Sequence, residues 1–134
     1  MANKNKNTAQ KVVKSYIDLL YMTSSEVRAK DLAEVIQNTP EITVELWDEM
    51  NVLELELSNQ NSVDFEPVAP SFSDPSDAAF IKNRNIKTIF AVNLCEDDIN
   101  TLIPIFEKLI DQYLGFLCTD SADFKPIYAG SSKI

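Results

Sequence analysis

The side chains in this sequence best equipped for chemistry are carboxylates. Between Asp31 and Ile81 there are twelve Asp and Glu residues and no Lys or Arg. Residues 1–30 carry six bases against two acids, and residues 82–134 carry six bases against seven acids. The formal net charge of −9 is therefore concentrated in one tract. Gathered carboxylates can hold a divalent cation or do acid–base work. An uncompensated anionic surface can instead attract a cationic partner.

The first possibility has one foothold, a pair of similar segments. SVDFEPV (62–68) and SADFKPI (121–127) share the pattern Ser-x-Asp-Phe-x-Pro-apolar. Asp64 and Asp123, with Glu66 and Asp120, would be the ligands or acids. A turn explains the pattern more simply: Asp bonds local backbone, Phe65 and Phe124 anchor the loop, and Pro ends strand pairing. No third ligand motif accompanies the segments, so no metal, cofactor or catalytic residue is expected. Cys95 lies where a strand meets a helix start, a position that favours thiolate, but Glu96, Asp97 and Asp98 follow at once and oppose it. Cys95 and Cys118 read as small buried apolar residues, reduced in a cytoplasmic protein.

Other chemistries are removed by composition. The chain has no histidine, which rules out Ser-His-Asp and Cys-His catalysis and most zinc sites. Its two glycines, Gly115 and Gly130, cannot write a P-loop or a GxGxxG turn. No apolar run approaches a membrane span, and the N-terminal lysines precede no apolar signal core. A sequence pI near 4.4 opposes nucleic acid and anionic membrane as partners.

The second possibility is favoured. The expected partner-binding residues are Glu45, Trp47, Asp48, Glu49, Glu54 and Glu56. Closely spaced like charges repel by a few tenths of a kcal/mol per pair, and solubility alone does not need a tract this free of bases. Trp47 is the single tryptophan; its ring is expected to face the core beside Leu46, or else to anchor the partner.

The elements that must position these residues follow from periodicity. Residues 8–22 carry Val13, Tyr16, Ile17 and Leu20 at helical spacing behind Thr8, and predict a helix. A second helix is expected over 25–37, capped by Ser24 or Ser25. Thr39-Pro40-Glu41 reads as a helix start, so 40–50 is predicted helical, with Glu41, Glu45, Asp48 and Glu49 on one side. Ile42, Val44 and Leu46 also alternate, which makes a strand the competing reading. Residues 52–57 alternate cleanly as a strand with Glu54 and Glu56 outward, and 63–68 returns as its hairpin partner. Pro67, Pro70 and Pro75 mark a loop, with Asp74-Pro75 opening a helix over 75–83. A strand over 86–94, a long helix over 96–113 containing Pro104, and strands over 114–119 and 124–128 complete the chain. The 86–94, 96–113 and 114–119 segments could form one right-handed crossover. The paired Asp-Phe-x-Pro segments suggest two helix–strand–strand copies.

Residues 9–57 resemble, loosely, a winged-helix arrangement of three helices and a two-stranded ribbon. The would-be recognition helix carries Glu41, Glu45, Asp48 and Glu49 and no base, so phosphates would repel it.

The expectation is a single α+β domain over 1–134, with 1–7 frayed. N-terminal helices precede a four- to five-stranded mixed or antiparallel sheet packed on the 96–113 helix. The expected function is that of a small acidic cytoplasmic inhibitor, not an enzyme, covering a basic surface of a protein such as a toxin or nuclease domain. Bacterial toxin-immunity proteins are the physical analogy. The alternative is a structural or assembly protein, a homo-oligomeric subunit or a secretion-type adaptor.

Overall fold

A single antiparallel sheet organises the chain, in a computed structural model that describes residues 14–121, 124 and 126–128. Among the described residues seven strands, rather than the four or five expected, lie in the order β2-β3-β4-β5-β1-β6-β7. They are β1 (Tyr16–Thr23), β2 (Thr43–Trp47), β3 (Val52–Glu56), β4 (Ser62–Val68), β5 (Thr88–Cys95), β6 (Phe116–Thr119) and a short β7 (Pro126–Tyr128). Three α-helices accompany them among the described residues: α1 (Ala29–Ile36), α2 (Pro75–Asn83) and α3 (Ile99–Tyr113). The class is α+β, and every pairing is antiparallel.

The N-terminal helix expected over 8–22 is corrected in its described part: residues 16–23 form β1, between β5 and β6. Residues 8–13, like the frayed tail expected over 1–7, lie outside the described residues. From Leu19 to Thr23 the strand is buried without interruption. A strand covered on both faces needs no polar alternation, so its apolar run imitates a buried helix.

The helix expected over 40–50 is also a strand. Residues 43–47 form β2, and only Asp48–Met50 coil, as one 3-10 turn. The Thr39-Pro40-Glu41 signal instead ends α1: the Thr39 N–H donates to the Ile36 carbonyl, and Glu41 takes a left-handed φ of 68°. With neither helix present, the winged-helix resemblance fails. The two-copy architecture fails with it, because β3 follows a strand rather than a helix. Phe65 and Phe124 also lie in separate apolar clusters.

The remaining elements match the sequence closely. α1 begins later than expected, at Arg28 rather than a serine, where the Arg28 N–H donates to the Asp31 carboxylate at 2.8 Å. Asp74 caps α2 by accepting from the N–H groups of Ser76 and Asp77, with Pro75 at the first helical position. Glu96–Asp98 form a 3-10 turn leading into α3, which accommodates Pro104. β5 and β6 both pair antiparallel to β1, so they run parallel to each other with β1 between them. The crossover expected between them therefore joins strands that are not neighbours.

The sheet separates two cores. On one face α1 and α3 cover Leu19, Tyr21, Leu53, Leu55, Val63, Phe65, Phe90, Val92, Leu94 and Leu117. On the other, Ile81 and Phe80 of α2, with Phe72 and Phe124, cover Leu20, Met22, Ile89 and Cys118. The α3 end is tied to the sheet by hydroxyls. Tyr21 donates to the Leu114 carbonyl at 2.7 Å, and Thr23 and Ser25 donate to the Tyr113 carbonyl at 2.6 and 2.8 Å. These bonds satisfy carbonyls that a helix terminus otherwise leaves without partners.

Candidate functional site

Strand register decides where the acids go. On β2 the alternation places Thr43, Glu45 and Trp47 on one face and Val44 and Leu46 on the other. Thr43 is opposite Glu56, Glu45 is opposite Glu54, and Trp47 is opposite Val52. Glu54 in turn is opposite Asp64 of β4, Asp64 is opposite Asn93 of β5, and Asn93 is opposite Asp18 of β1. A row of four carboxylates and one amide, Glu45–Glu54–Asp64–Asn93–Asp18, therefore crosses five adjacent strands on a single face. Glu56 and Glu66 flank it two residues along β3 and β4.

This face is divided along the strand direction. Toward one end, Val68, Ile89, Met22 and Phe116 form a row beneath α2 and Phe72. Toward the other, α2 does not cover the sheet and the acidic row is at the surface. The same strands that supply Leu53, Leu55, Val63 and Phe65 to the opposite core therefore present carboxylates here.

The crowding has an electrostatic consequence. Partial burial raises the Glu54 carboxyl above its ordinary value, and the charges of Asp64, Glu45 and Glu56 raise it further. Asp64 is raised by burial first and by Glu66 second. Neighbouring Asn93 donates from its amide to Asp18 at 2.9 Å, which steadies the far end of the row. Thr43, Glu45, Glu54, Glu56, Gln60 and Ser62 line a shallow depression of about 250 Å³. Among the described residues, no group of three or more Cys, Asp or Glu is placed to hold a metal ion.

The residues expected to bind a partner separate into two sets. Glu45, Trp47, Glu54 and Glu56 share the outer face of β2 and β3. Asp48 and Glu49 lie in the 3-10 turn that follows β2, so the single-sided helical arrangement of Glu41, Glu45, Asp48 and Glu49 is corrected. Asp48 is also partly neutralised, with the Arg28 guanidinium 3.7 Å from its carboxylate and 2.9 Å from its carbonyl oxygen. Trp47 is 46% exposed, against the expectation that it faces the core. At the edge of the sheet, alternation turns it away from Val44 and toward the acids.

Asp18, Asp64, Glu66 and Asn93 complete the surface and were not among the expected set. Asp64 and Glu66 were legible, because Val63 and Phe65 alternate with them and fix them on the face of Glu54. Asp18 lies within 8–22, where helical spacing conceals the strand that carries it. The carboxylates of the paired Asp-Phe-x-Pro segments, for which a turn is the simpler reading, are dispersed among the described residues: Asp64 and Glu66 belong to the acidic face and Asp120 follows β6, while Asp123 lies outside the described residues.

Both cysteines are buried and free. Burial, aided by Asp120, pushes the Cys118 thiol up to about 12, which disfavours a nucleophilic role. No helix among the described residues is long and apolar enough to cross a membrane. No protein-family profile matches the chain, and no curated protein or solved structure matches it.

Proposed function

We propose that this protein is a small non-enzymatic binding protein of the cytoplasm that covers a basic surface on another protein, in the manner of a bacterial toxin-immunity protein. The observation that carries this reading is the direct opposition of Glu45, Glu54 and Asp64 on three adjacent strands. Like charges placed opposite one another destabilise a sheet, and no lysine or arginine stands in the row to relieve them. A cationic partner would supply that relief.

Binding would proceed in two stages. The anionic face steers the partner during diffusional encounter. Exposed Trp47, at the margin of the acids, then provides an aromatic anchor. The test begins with capture of basic proteins from native lysate at low and high salt. Association of a purified partner is then followed against ionic strength. The rate should fall steeply with salt. Reversing Glu45, Glu54 and Asp64 to lysine should abolish that dependence while leaving the domain folded. Unchanged binding by the triple variant would refute the site.

A second reading, a homo-oligomeric assembly protein, draws on the exposed Leu46, Trp47 and Met50 at one sheet edge. Sedimentation separates the two, since a salt-insensitive oligomer favours assembly and a monomer favours the inhibitor.

A further inference from the structure

The acidic row runs out to an open edge of the sheet. β2 ends the strand order and pairs only with β3, in five continuous residue pairs from Thr43↔Glu56 to Trp47↔Val52. Among the described residues, no strand lies on its other side. A free edge presents unpaired backbone N–H and C=O groups, and proteins usually blunt it with lysine, proline or a bulge. β2 has no lysine, proline or bulge between Thr43 and Trp47, and its single charge is Glu45. The opposite edge differs: β7 comprises three of the described residues, and its pairing with β6 is shifted at Leu117/Cys118.

The edge is also apolar where it ends. Leu46 is 38% exposed, Trp47 46% and Met50 64%. Leu46 and Trp47 project to opposite faces of the strand, so both sides of the edge offer apolar contact. On the face of Trp47, Glu45 brings the acidic row up to the open edge.

We infer that β2 receives an extended segment of the basic partner as an additional strand, with a lysine or arginine of that segment opposite Glu45 and apolar residues on its other face against Leu46 and Val44. The inference rests on the partner-binding reading and adds its mode. Main-chain hydrogen bonds would supply affinity and the alternating side chains specificity. An opposite charge across from Glu45 turns a repulsive row into a favourable cross-strand pair.

Charge also selects this occupant over a second copy of the chain. Antiparallel pairing of two β2 strands centred on Glu45 places the two Glu45 residues opposite each other. That pairing joins two rows of Glu45, Glu54 and Asp64 end to end. Centring on Val44 or Leu46 moves the Glu45 pair only to a diagonal about 7–8 Å apart. Every such register concentrates anions, whereas a strand with cations at alternate positions disperses them.

The test uses the full chain and three capped heptapeptides at low salt. One alternates lysine and valine, one has the same composition with its lysines grouped, and one is the alternating peptide N-methylated along its backbone. Binding is read by amide chemical-shift titration and by hydrogen exchange. The alternating peptide should perturb and protect the amides of 43–47. Grouping the lysines or methylating the backbone should weaken it by about tenfold, the equivalent of one or two lost main-chain bonds. Glu45→Lys should weaken the alternating peptide without lowering the melting temperature.

Equal binding of all three peptides would overturn strand addition while leaving the acidic face as a binding surface. Failure of every peptide to bind would also overturn it, and the salt test with a folded partner would then judge the parent reading separately. Protection of 43–47 that grows with protein concentration and needs no peptide would assign the edge to a second copy and overturn the inference.

Discussion

Glu45 of β2 and Glu54 of β3 stand directly opposite each other, and Asp64 stands opposite Glu54 on its other side. The middle carboxylate therefore has an anion on each flank. This arrangement opposes folding slightly, because like charges directly opposite one another repel.

Neutralising the middle of the row should stabilise the isolated protein. Glu54→Gln removes two like-charge oppositions, and Glu54→Lys replaces them with attractions. Urea denaturation should show a gain of about 0.5 kcal/mol for the first, and more for the second. Partner association should weaken in the same order. A loss of stability in Glu54→Gln would show that the row is not repulsive.

The same crowding gives stability a particular pH dependence. Glu54 and Asp64 are held above their ordinary values of 4.5 and 3.8. Folded chains therefore retain these protons at a pH where unfolded chains have released them. Their contribution to stability is fullest at and below those ordinary values and falls as pH rises through the folded-state values. Melting curves from neutral to mildly acid pH should show a gain on acidification that shrinks in a Glu54→Gln/Asp64→Asn variant. Superimposable profiles for the two proteins would remove the effect.

Gly115 is predicted to be irreplaceable. It has φ 90°, and a Cβ there would come 2.1 Å from the Met22 carbonyl oxygen. Backbone on β1 cannot yield without breaking the central pairing. Gly115→Ala should cost about 3 kcal/mol or more, by strain and overpacking together. A denaturation midpoint equal to wild type would contradict the close approach.

Asp98 joins the β3–β4 turn to the start of α3. It is 4% exposed, and its two oxygens accept from the side-chain amides of Asn59 at 3.0 Å and Asn61 at 2.8 Å. Asp98→Ala leaves both donors without this acceptor and should destabilise the fold by about 2–4 kcal/mol. Hydrogen exchange should accelerate first in 57–62 and at the beginning of α3. Uniform acceleration across the sheet would argue against a local tie.

Much of the chain follows from sequence alone because the physics there is local. The alternation of Leu53, Leu55 and Leu57 with Glu54 and Glu56 gave a half-buried strand, since one face meets the core and the other meets water. Asp74-Pro75 gave a helix start, because the cap bonds lie within three residues. The uncompensated charge of 31–81 was equally plain. Three things came only from the tertiary structure. Residues 16–23 became a strand because β5 and β6 close on both sides of them, and a doubly covered strand carries no period of its own. The alternation of Ile42, Val44 and Leu46 already offered a strand at 43–47, but its place at the sheet edge was decided by β3, which accepts its backbone and outweighs the local start signal at Thr39-Pro40-Glu41. The acidic row itself joins residues from 18 to 93 through cross-strand register, a relationship among distant segments that no local pattern records.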